Sequence, residues 1–186
     1  MTKTPVTYKE TLRGILEIHE IEKMIMDNLI NVQKYVFRNY HTLQINQETV
    51  VQLHTLLAGN LFEEAGTYRK HDVELGVFKP PAYFKLAEHM KNWEADYKER
   101  RAHARTHEAK IELCAWLIHR FLWIHPFFDY NGRMSRILGE LYLLQNNFPA
   151  ISFHSIARVD FVKAVKEATR TGDLHLLVQL IQAHIA

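Results

Sequence analysis

At 186 residues the chain is long enough to bury one sizeable core, and a single globular unit is the default at this length. Hydrophobic residues make up 47% and charged residues 24%, with a formal net charge of +2; this balance provides no polyanion-binding tail, so nucleic acid is not expected as a partner. The single cysteine, Cys114, excludes an internal disulfide framework and lies in an apolar run where a buried, inert thiol is expected.

The first residues, Met1 to Pro5, are polar and lack the apolar core of a signal peptide, and no stretch is apolar for the length a membrane span needs. A cytoplasmic protein without membrane association is the expectation. From about Lys9 to Phe37, apolar residues recur at helical spacing (Leu12, Ile15, Leu16, Ile21, Ile25, Leu29, Val32, Val36), which predicts one long amphipathic helix or two joined ones. Asn39-Tyr40-His41 breaks that pattern. A second helix is predicted from roughly Asn46 to Phe62, with His54 as a hydrogen-bonded histidine at the edge of the core rather than a metal ligand.

Val73 to Pro81 alternates apolar residues around Gly76 and closes on two prolines, which predicts a short β-hairpin. Helical periodicity resumes from Tyr83 to Tyr97 and leads into a basic, histidine-containing stretch, Lys98 to His107, read as a solvated helix end and connection. Ala109 to Trp123 is a strongly apolar helix, with His119 in a structural role. Two compact helices are predicted near the C-terminus, about Val159–Thr169 and Asp173–His184, separated by a Gly172 stop and an Asp173 N-cap. Neither His-Glu-x-x-His nor Cys-x-x-Cys occurs, so a metalloenzyme independent of nucleotide is not expected.

The chemistry concentrates in one string, His125-Pro126-Phe127-Phe128-Asp129-Tyr130-Asn131-Gly132-Arg133-Met134-Ser135-Arg136. His125 can accept a proton near neutral pH, and Asp129 offers the hard oxygen that Mg²⁺ prefers. Asn131-Gly132 opens a predicted helix through Leu144, whose N-terminal N–H groups favour anions. Arg133 and Arg136 fall on neighbouring turns, where each can reach phosphate oxygens with a bidentate fork. Pro126 stiffens the loop, and Phe127 and Phe128 are expected to anchor it. Any one of these residues has a plain structural reading, as terminator, cap or solvated face; the whole string points to a phosphate-handling site with a general base.

That string closely resembles the Fic-family motif H-P-F-x-[DE]-G-N-G-R-x-x-R, departing from it where Tyr130 replaces the first glycine. The resemblance extends over roughly Gln47 to Gln182, more weakly outside the motif, and includes Gly66-x-Tyr68-Arg69 and a hairpin ending in Pro80-Pro81. It implies an all-α fold, a Fic-type helical bundle with a short β-hairpin flap beside the active-site loop. Residues 1–45 would be an N-terminal helical segment, a candidate for regulation, and 46–186 the core domain. It also implies a protein adenylyltransferase, moving AMP from Mg-ATP onto a Ser, Thr or Tyr hydroxyl of a target protein, with Mg²⁺ as cofactor and ATP as substrate. His125 would deprotonate the target hydroxyl and Asp129 would hold the metal. Asn131, Gly132 and Arg133 would cradle phosphates, and Arg136 would hold the distal one. Val77, Phe78 and Lys79 of the flap would dock the target or cover the nucleotide.

Many Fic proteins restrain themselves with a glutamate of an inhibitory helix, [ST]-x-x-x-E-[GN]. No stretch here matches that pattern, so Glu17 or Glu20 of the N-terminal helix is the candidate inhibitor, or else an antitoxin-like partner chain supplies one or there is none. A weak homodimer is also in keeping with the family. Tyr130 brings a steric cost where glycine permits positive φ; its ring would point outward, stack on the nucleotide or fill phosphate space. The alternatives to adenylyl transfer are therefore altered chemistry (another nucleotide, phosphocholine, or hydrolytic removal of AMP using Glu17) and a nucleotide-binding module impaired by Tyr130.

Overall fold

In the computed structural model the described residues are 7–76, 78–150 and 153–185. The only paired strands among them are β1 (Tyr8–Thr11) and β2 (Gly14–Glu17), an antiparallel hairpin in register Tyr8 to Glu17 and Thr11 to Gly14. The α-helices follow in order: α1 (Ile18–Asn39), α2 (Gln47–Ala58), α3 (Leu86–His103), α4 (His107–Ile124), α5 (Asn131–Gln145), α6 (Arg158–Thr171) and α7 (His175–Ile185).

The first helix therefore starts later than the periodicity of residues 9–37 suggests. Leu12 and Ile15 are exposed hairpin residues, not the inner face of a helix. The turn is fixed locally: Thr11 Oγ1 accepts from Arg13 N–H (3.0 Å) and donates to the Gly14 carbonyl (2.8 Å), and the Leu12 N–H is tied to the Leu61 carbonyl. Four-residue strands are too short for a period of two to be told from a period of 3.6. Conversely, the hairpin expected at 73–81 forms only a single antiparallel bridge, Leu75 to Phe78, around Gly76. Elsewhere side-chain caps fix the helix starts, at Asp173 as expected and at Asn46 and Thr106 besides. Asn46 Oδ1 caps α2 through the Thr49 N–H (2.8 Å), Thr106 caps α4 through Ala109 N–H (3.1 Å), and the Asp173 carboxylate accepts from His175 N–H at the start of α7 (2.8 Å).

The core sits between α4 and α5, with α1 and α2 packed along α5 and α3, α6 and α7 against α4. The inner face of α1 (Ile21, Ile25, Leu29, Val32, Val36) is buried in the same cluster as Leu53 of α2, Phe121 of α4 and Leu138 of α5. Cys114 is fully buried and its thiol pKa is raised by that burial, so it is inert. The buried Glu140 carboxylate of α5 accepts from Gln33 Nε2 of α1 (3.0 Å) and from the Phe153 N–H (2.9 Å), tying three segments together.

α4 and α5 approach closely because position 139 has no side chain: a Cβ there would lie 2.7 Å from Ile118 Cδ1 and 2.8 Å from a Phe153 ring carbon. Overpacking at such a contact costs about 1–3 kcal/mol. Gly139→Leu is expected to lower the unfolding free energy by that amount, measured by urea titration followed by circular dichroism.

Candidate active site

The loop from α4 to α5 carries the candidate reacting groups, and its two ends share an unusual backbone. His125, the C-cap of α4, has φ 51°, and Tyr130, the N-cap of α5, has φ 60°. For residues with a Cβ this left-handed conformation costs roughly 1–2 kcal/mol each, so the surroundings must impose it. They do so through backbone contacts on both sides of the loop.

Asn131 brackets it from within: its Oδ1 accepts from Phe127 N–H (3.0 Å) and its Nδ2 donates to Phe127 carbonyl (2.8 Å). The amide expected in the phosphate cradle is thus a brace for the loop, and the backbone groups that the first turn of α5 can offer a ligand are the Asn131 and Gly132 N–H. Arg69 braces from outside. Its Nε donates to the His125 carbonyl (2.9 Å), Nη1 to His71 (2.8 Å) and Nη2 to Pro81, while its backbone N–H donates to Pro126 (2.8 Å).

His54 completes the frame. Its Nδ1 accepts from Gly66 N–H (2.8 Å), which leaves Nε2–H to donate to the Asp129 carbonyl (3.1 Å), and its ring stacks on Phe127 at 3.8 Å. The Gly66 N–H can approach because residue 66 lacks a Cβ, which would lie 2.1 Å from Thr55 Oγ1, and its φ is +80°. His54 is thus the hydrogen-bonded histidine its place in the sequence suggests. His119, bonded to Thr169 Oγ1 at 3.1 Å, is another.

Within this frame His125 Nδ1 lies 3.4 Å from the Leu122 carbonyl. That contact favours a proton on Nδ1 and leaves Nε2 as the acceptor a general base needs. Burial lowers the His125 pKa to about 4, and the Arg69 cation pushes in the same direction against the Leu122 bond and Asp129. The imidazole is therefore neutral at pH 7. Phe127 is fully buried, whereas Phe128 is 57% exposed and does not anchor the loop.

Asp129 Oδ1 accepts from the Tyr130 N–H (2.7 Å), and its Oδ2 lies 3.6 Å from Lys9 Nζ of β1. That ammonium also sits over the rings of Phe62 (4.4 Å) and Phe128 (5.0 Å). Arg133 forms an ion pair with Glu22 of α1 and lies over the Tyr130 ring at 5.2 Å. Arg136 lies over Phe161 at 4.3 Å; burial lowers its pKa, and repulsion from Arg158 and Arg133 adds to that. The three arginines form a cluster of cations suited to an anion.

The Tyr130 ring is turned inward, 9% exposed and 6.1 Å from Phe62, which removes the outward orientation. Its hydroxyl pKa is raised by burial and then by Asp129 and Glu22. Glu17 lies at the start of α1, with His19 Nδ1 2.8 Å away, and the Glu20 carboxylate accepts from the Glu17 N–H (3.1 Å). The carboxylate that meets a motif arginine is instead Glu22, one turn further along. In the flap, Phe78 packs near Trp123 (6.4 Å) just before His125, and Lys79 pairs with Glu74 (2.8 Å). Val77 lies outside the described residues. Among those described, no group of three or more His, Cys, Asp or Glu could hold a metal, and the His103-x-x-x-His107 spacing straddles the break between α3 and α4.

The sequence profile described as the Fic/DOC family matches residues 44–143, more than half of the chain. The chain belongs to the Fic/DOC family. Among its relatives, a Fido domain-containing protein of Dictyostelium discoideum is 35% identical over 107 residues, covering 56% of this chain and 72% of that protein. The protein adenylyltransferase Fic of Nematostella vectensis is 25% identical over 186 residues, 97% of this chain but 42% of the relative. The chain spans less than half the length of the animal adenylyltransferases it matches. In fold it is similar to BepC, an effector of Bartonella tribocorum solved with bound AMPPNP (TM-score 0.81, 16% identity, 97% of this chain and 93% of that one). Adenylyl transfer is thus supported at the level of the Fic family, and no helix among the described residues is long and apolar enough to cross a membrane.

The braces of the Fic loop titrate. His54 and His125 both have pKa values lowered from 6.5 to about 4, chiefly by burial. Below pH 6.5 the unfolded chain binds protons that the folded chain refuses. The stability that these residues confer is therefore complete above pH 6.5, falls as pH drops, and is gone below about 4. Each histidine is worth about 3 kcal/mol over that window. Unfolding free energy measured in urea from pH 7.5 to 4 should fall steeply, and His54→Gln should flatten the profile.

Proposed function

We propose that the chain is a protein adenylyltransferase that transfers AMP from Mg-ATP to a Ser, Thr or Tyr hydroxyl of a protein target. The observation that carries this reading is the neutral, braced His125, whose Nε2 is left as an acceptor in the loop that leads into the open start of α5, the helix that carries Arg133 and Arg136. His125 Nε2 takes the proton of the target hydroxyl as its oxygen bonds to the α-phosphorus. The bond to the bridging oxygen breaks, and pyrophosphate leaves with the electron pair. The α5 N-terminus and the arginines hold the phosphates and take up charge as it moves onto the leaving group. Holding both reactants in a fixed loop supplies the positional part of the rate.

Asp129 suits Mg²⁺ as a single carboxylate, the metal being carried otherwise by phosphates; the Lys9 ammonium already drawn to its outer oxygen marks a position that attracts cations. When bound, Mg²⁺ would neutralise phosphate charge and stabilise the departing pyrophosphate. An extended target segment would lie along the flap, near Phe78 and Lys79, through backbone pairing. A target protein, and an inhibitory partner chain if one acts, are further expected partners. Removal of AMP is a second reading, favoured by one observation: Glu22, rather than Glu17, is the carboxylate beside the phosphate-binding arginines.

Intact-protein mass spectrometry after incubation with Mg-ATP tests the main reading through self-modification. Wild type should gain an AMP adduct and His125→Ala should not, while retaining nucleotide binding by calorimetry. An adduct on His125→Ala at the wild-type rate refutes the assigned base.

The two ion pairs make separate predictions about the resting site. Glu22 occupies a side chain that phosphate needs, so Glu22→Gln should tighten ATP binding by about tenfold or less, the scale of one partly exposed pair of about 1 kcal/mol. Lys9 competes for the oxygen of Asp129, so Lys9→Met should lower the Mg²⁺ concentration giving half-maximal adduct formation. Unchanged ATP affinity in the first variant and an unchanged Mg²⁺ requirement in the second would show that these pairs do not compete with ligand.

A further inference from the structure

At the C-terminal end of α5 the loop between α1 and α2 borders a depression of about 480 Å³, a volume in the range of small-molecule sites. It is lined by that loop (Tyr40 to Ile45), by Tyr97, Lys98 and Arg101 in the last two turns of α3, and by Gln145, the last residue of α5. Asn131 lies at the other end of α5, about 20 Å away by the rise of the helix, so this is not the candidate active site. No acidic residue among those described lines the depression, and Leu43 and Ile45 are the aliphatic members of its lining.

Hydrogen bonding in this lining is left incomplete. Gln145 Nε2 donates to the Tyr40 carbonyl (2.9 Å) and to the Leu43 carbonyl (2.6 Å). Both amide hydrogens are thereby used, which fixes the orientation of the amide and leaves Oε1 as a buried acceptor without a partner. The Tyr97 hydroxyl is likewise without a partner on a residue 1% exposed, and so is that of Tyr142, whose ring meets Tyr97 edge-on at 6.2 Å. Burial pushes the Tyr97 pKa up to about 12, so the phenol keeps its proton and can donate it. Buried polar groups are ordinarily paired. Two orphans in the lining and a third directly behind it call for an occupant that supplies an N–H or O–H to Oε1 and accepts from a phenol. Cations stand beside them: Arg101 has no ion pair among the described residues and its charge acts on both phenols, while Lys98 is 64% exposed and shared with Glu94 at 2.6 Å. Tyr40 and His41 add two rings 3.8 Å apart.

We propose that this depression binds a nucleoside monophosphate, its base paired with Gln145 Oε1 and the Tyr97 hydroxyl and its phosphate held by Arg101 and Lys98. A base such as adenine presents a donor beside an acceptor on one edge, which matches the two buried groups, and its flat ring can lie against Tyr40 or His41. The Arg101 fork fits a phosphate. An aliphatic ligand would leave the buried groups unpaired, which is costly, and inorganic phosphate alone matches the cations but not the buried pair. The proposal does not depend on the catalytic reading.

Titration of the nitrogen-15-labelled whole chain with AMP, followed by two-dimensional NMR, reads the two ends of α5 separately. Amide signals of residues 40–45 and 97–101 should shift saturably, and adenosine or inorganic phosphate should bind there at least tenfold more weakly than AMP. Judged at those signals, Tyr97→Phe should weaken AMP at least threefold and Arg101→Gln at least fivefold. Any change at residues 131–136 should be the same in wild type and variants, so an outcome at one end does not decide the other. Circular dichroism checks the fold of both variants; Arg101 is exposed, so its replacement leaves the core untouched. The absence of a saturable shift at 40–45 and 97–101 at millimolar AMP overturns the proposal, as does a shift that neither substitution weakens. Inorganic phosphate binding as tightly as AMP would reduce the site to one for a simple anion and overturns the assignment of a nucleotide.

Discussion

The six residues from His125 to Tyr130 must carry the chain from the end of one buried helix to the start of the next, and both end residues do so in left-handed conformation. Neither is glycine, so the loop is held against its own preference by roughly 1–2 kcal/mol at each end. Asn131, Arg69 and His54 supply the hold, and all three act on backbone groups of Pro126, Phe127, Asp129 or His125 rather than on side chains. Side chains of the loop are thereby left for chemistry. The same braces bury His125 and bring Arg69 near it, so the geometry that positions the imidazole also keeps it unprotonated at neutral pH.

Around that loop the N-terminal segment supplies charges opposite to those of the motif. Lys9 faces the carboxylate suited to a metal, and Glu22 faces an arginine suited to phosphate. In their absence a carboxylate and three arginines would stand close together without the ligand charges they match. Glu22 is 46% exposed and Lys9 30% exposed at the side chain, so each pair is screened and can yield to a ligand that brings several charges at once. The hairpin that delivers Lys9 is held by few contacts, whereas α1, which delivers Glu22, is rooted in the core along one whole face. The two contacts differ in sign and in the element that delivers them.

The helices from α2 onward were legible because their apolar faces recur at helical spacing and, before α7, the Gly172 stop and Asp173 cap agree with that spacing. The motif was legible because its residues are contiguous. Position 128 was misread because a motif string does not say which of two adjacent aromatic residues turns inward. The N-terminal hairpin was misread because Leu12, Ile15 and Leu16 fit helical spacing as well as alternation over so short a stretch. Lys9, Glu22 and Arg158 could not be read at all. They come from elements distant in the chain, and only the packing of β1, α1 and α6 brings them to α5. Arg69 and His54 were visible as residues, but their roles depend on which carbonyls they meet.

Tyr130 shows how a local penalty is absorbed by tertiary structure. With φ at 60° the backbone does what glycine would do there, at the cost of placing a Cβ in a crowded conformation. The ring repays this by burial: it packs beside Phe62 and under Arg133, and burying an aromatic ring contributes about 1.5–3 kcal/mol. The balance is favourable without the tyrosine having to change the path of the loop. It also places the ring against Arg133, the arginine that Glu22 holds, so Tyr130 and Glu22 together define where that guanidinium rests. The bulky residue that stands where the family motif has glycine thus adopts the left-handed backbone itself and meets the arginine three positions further on.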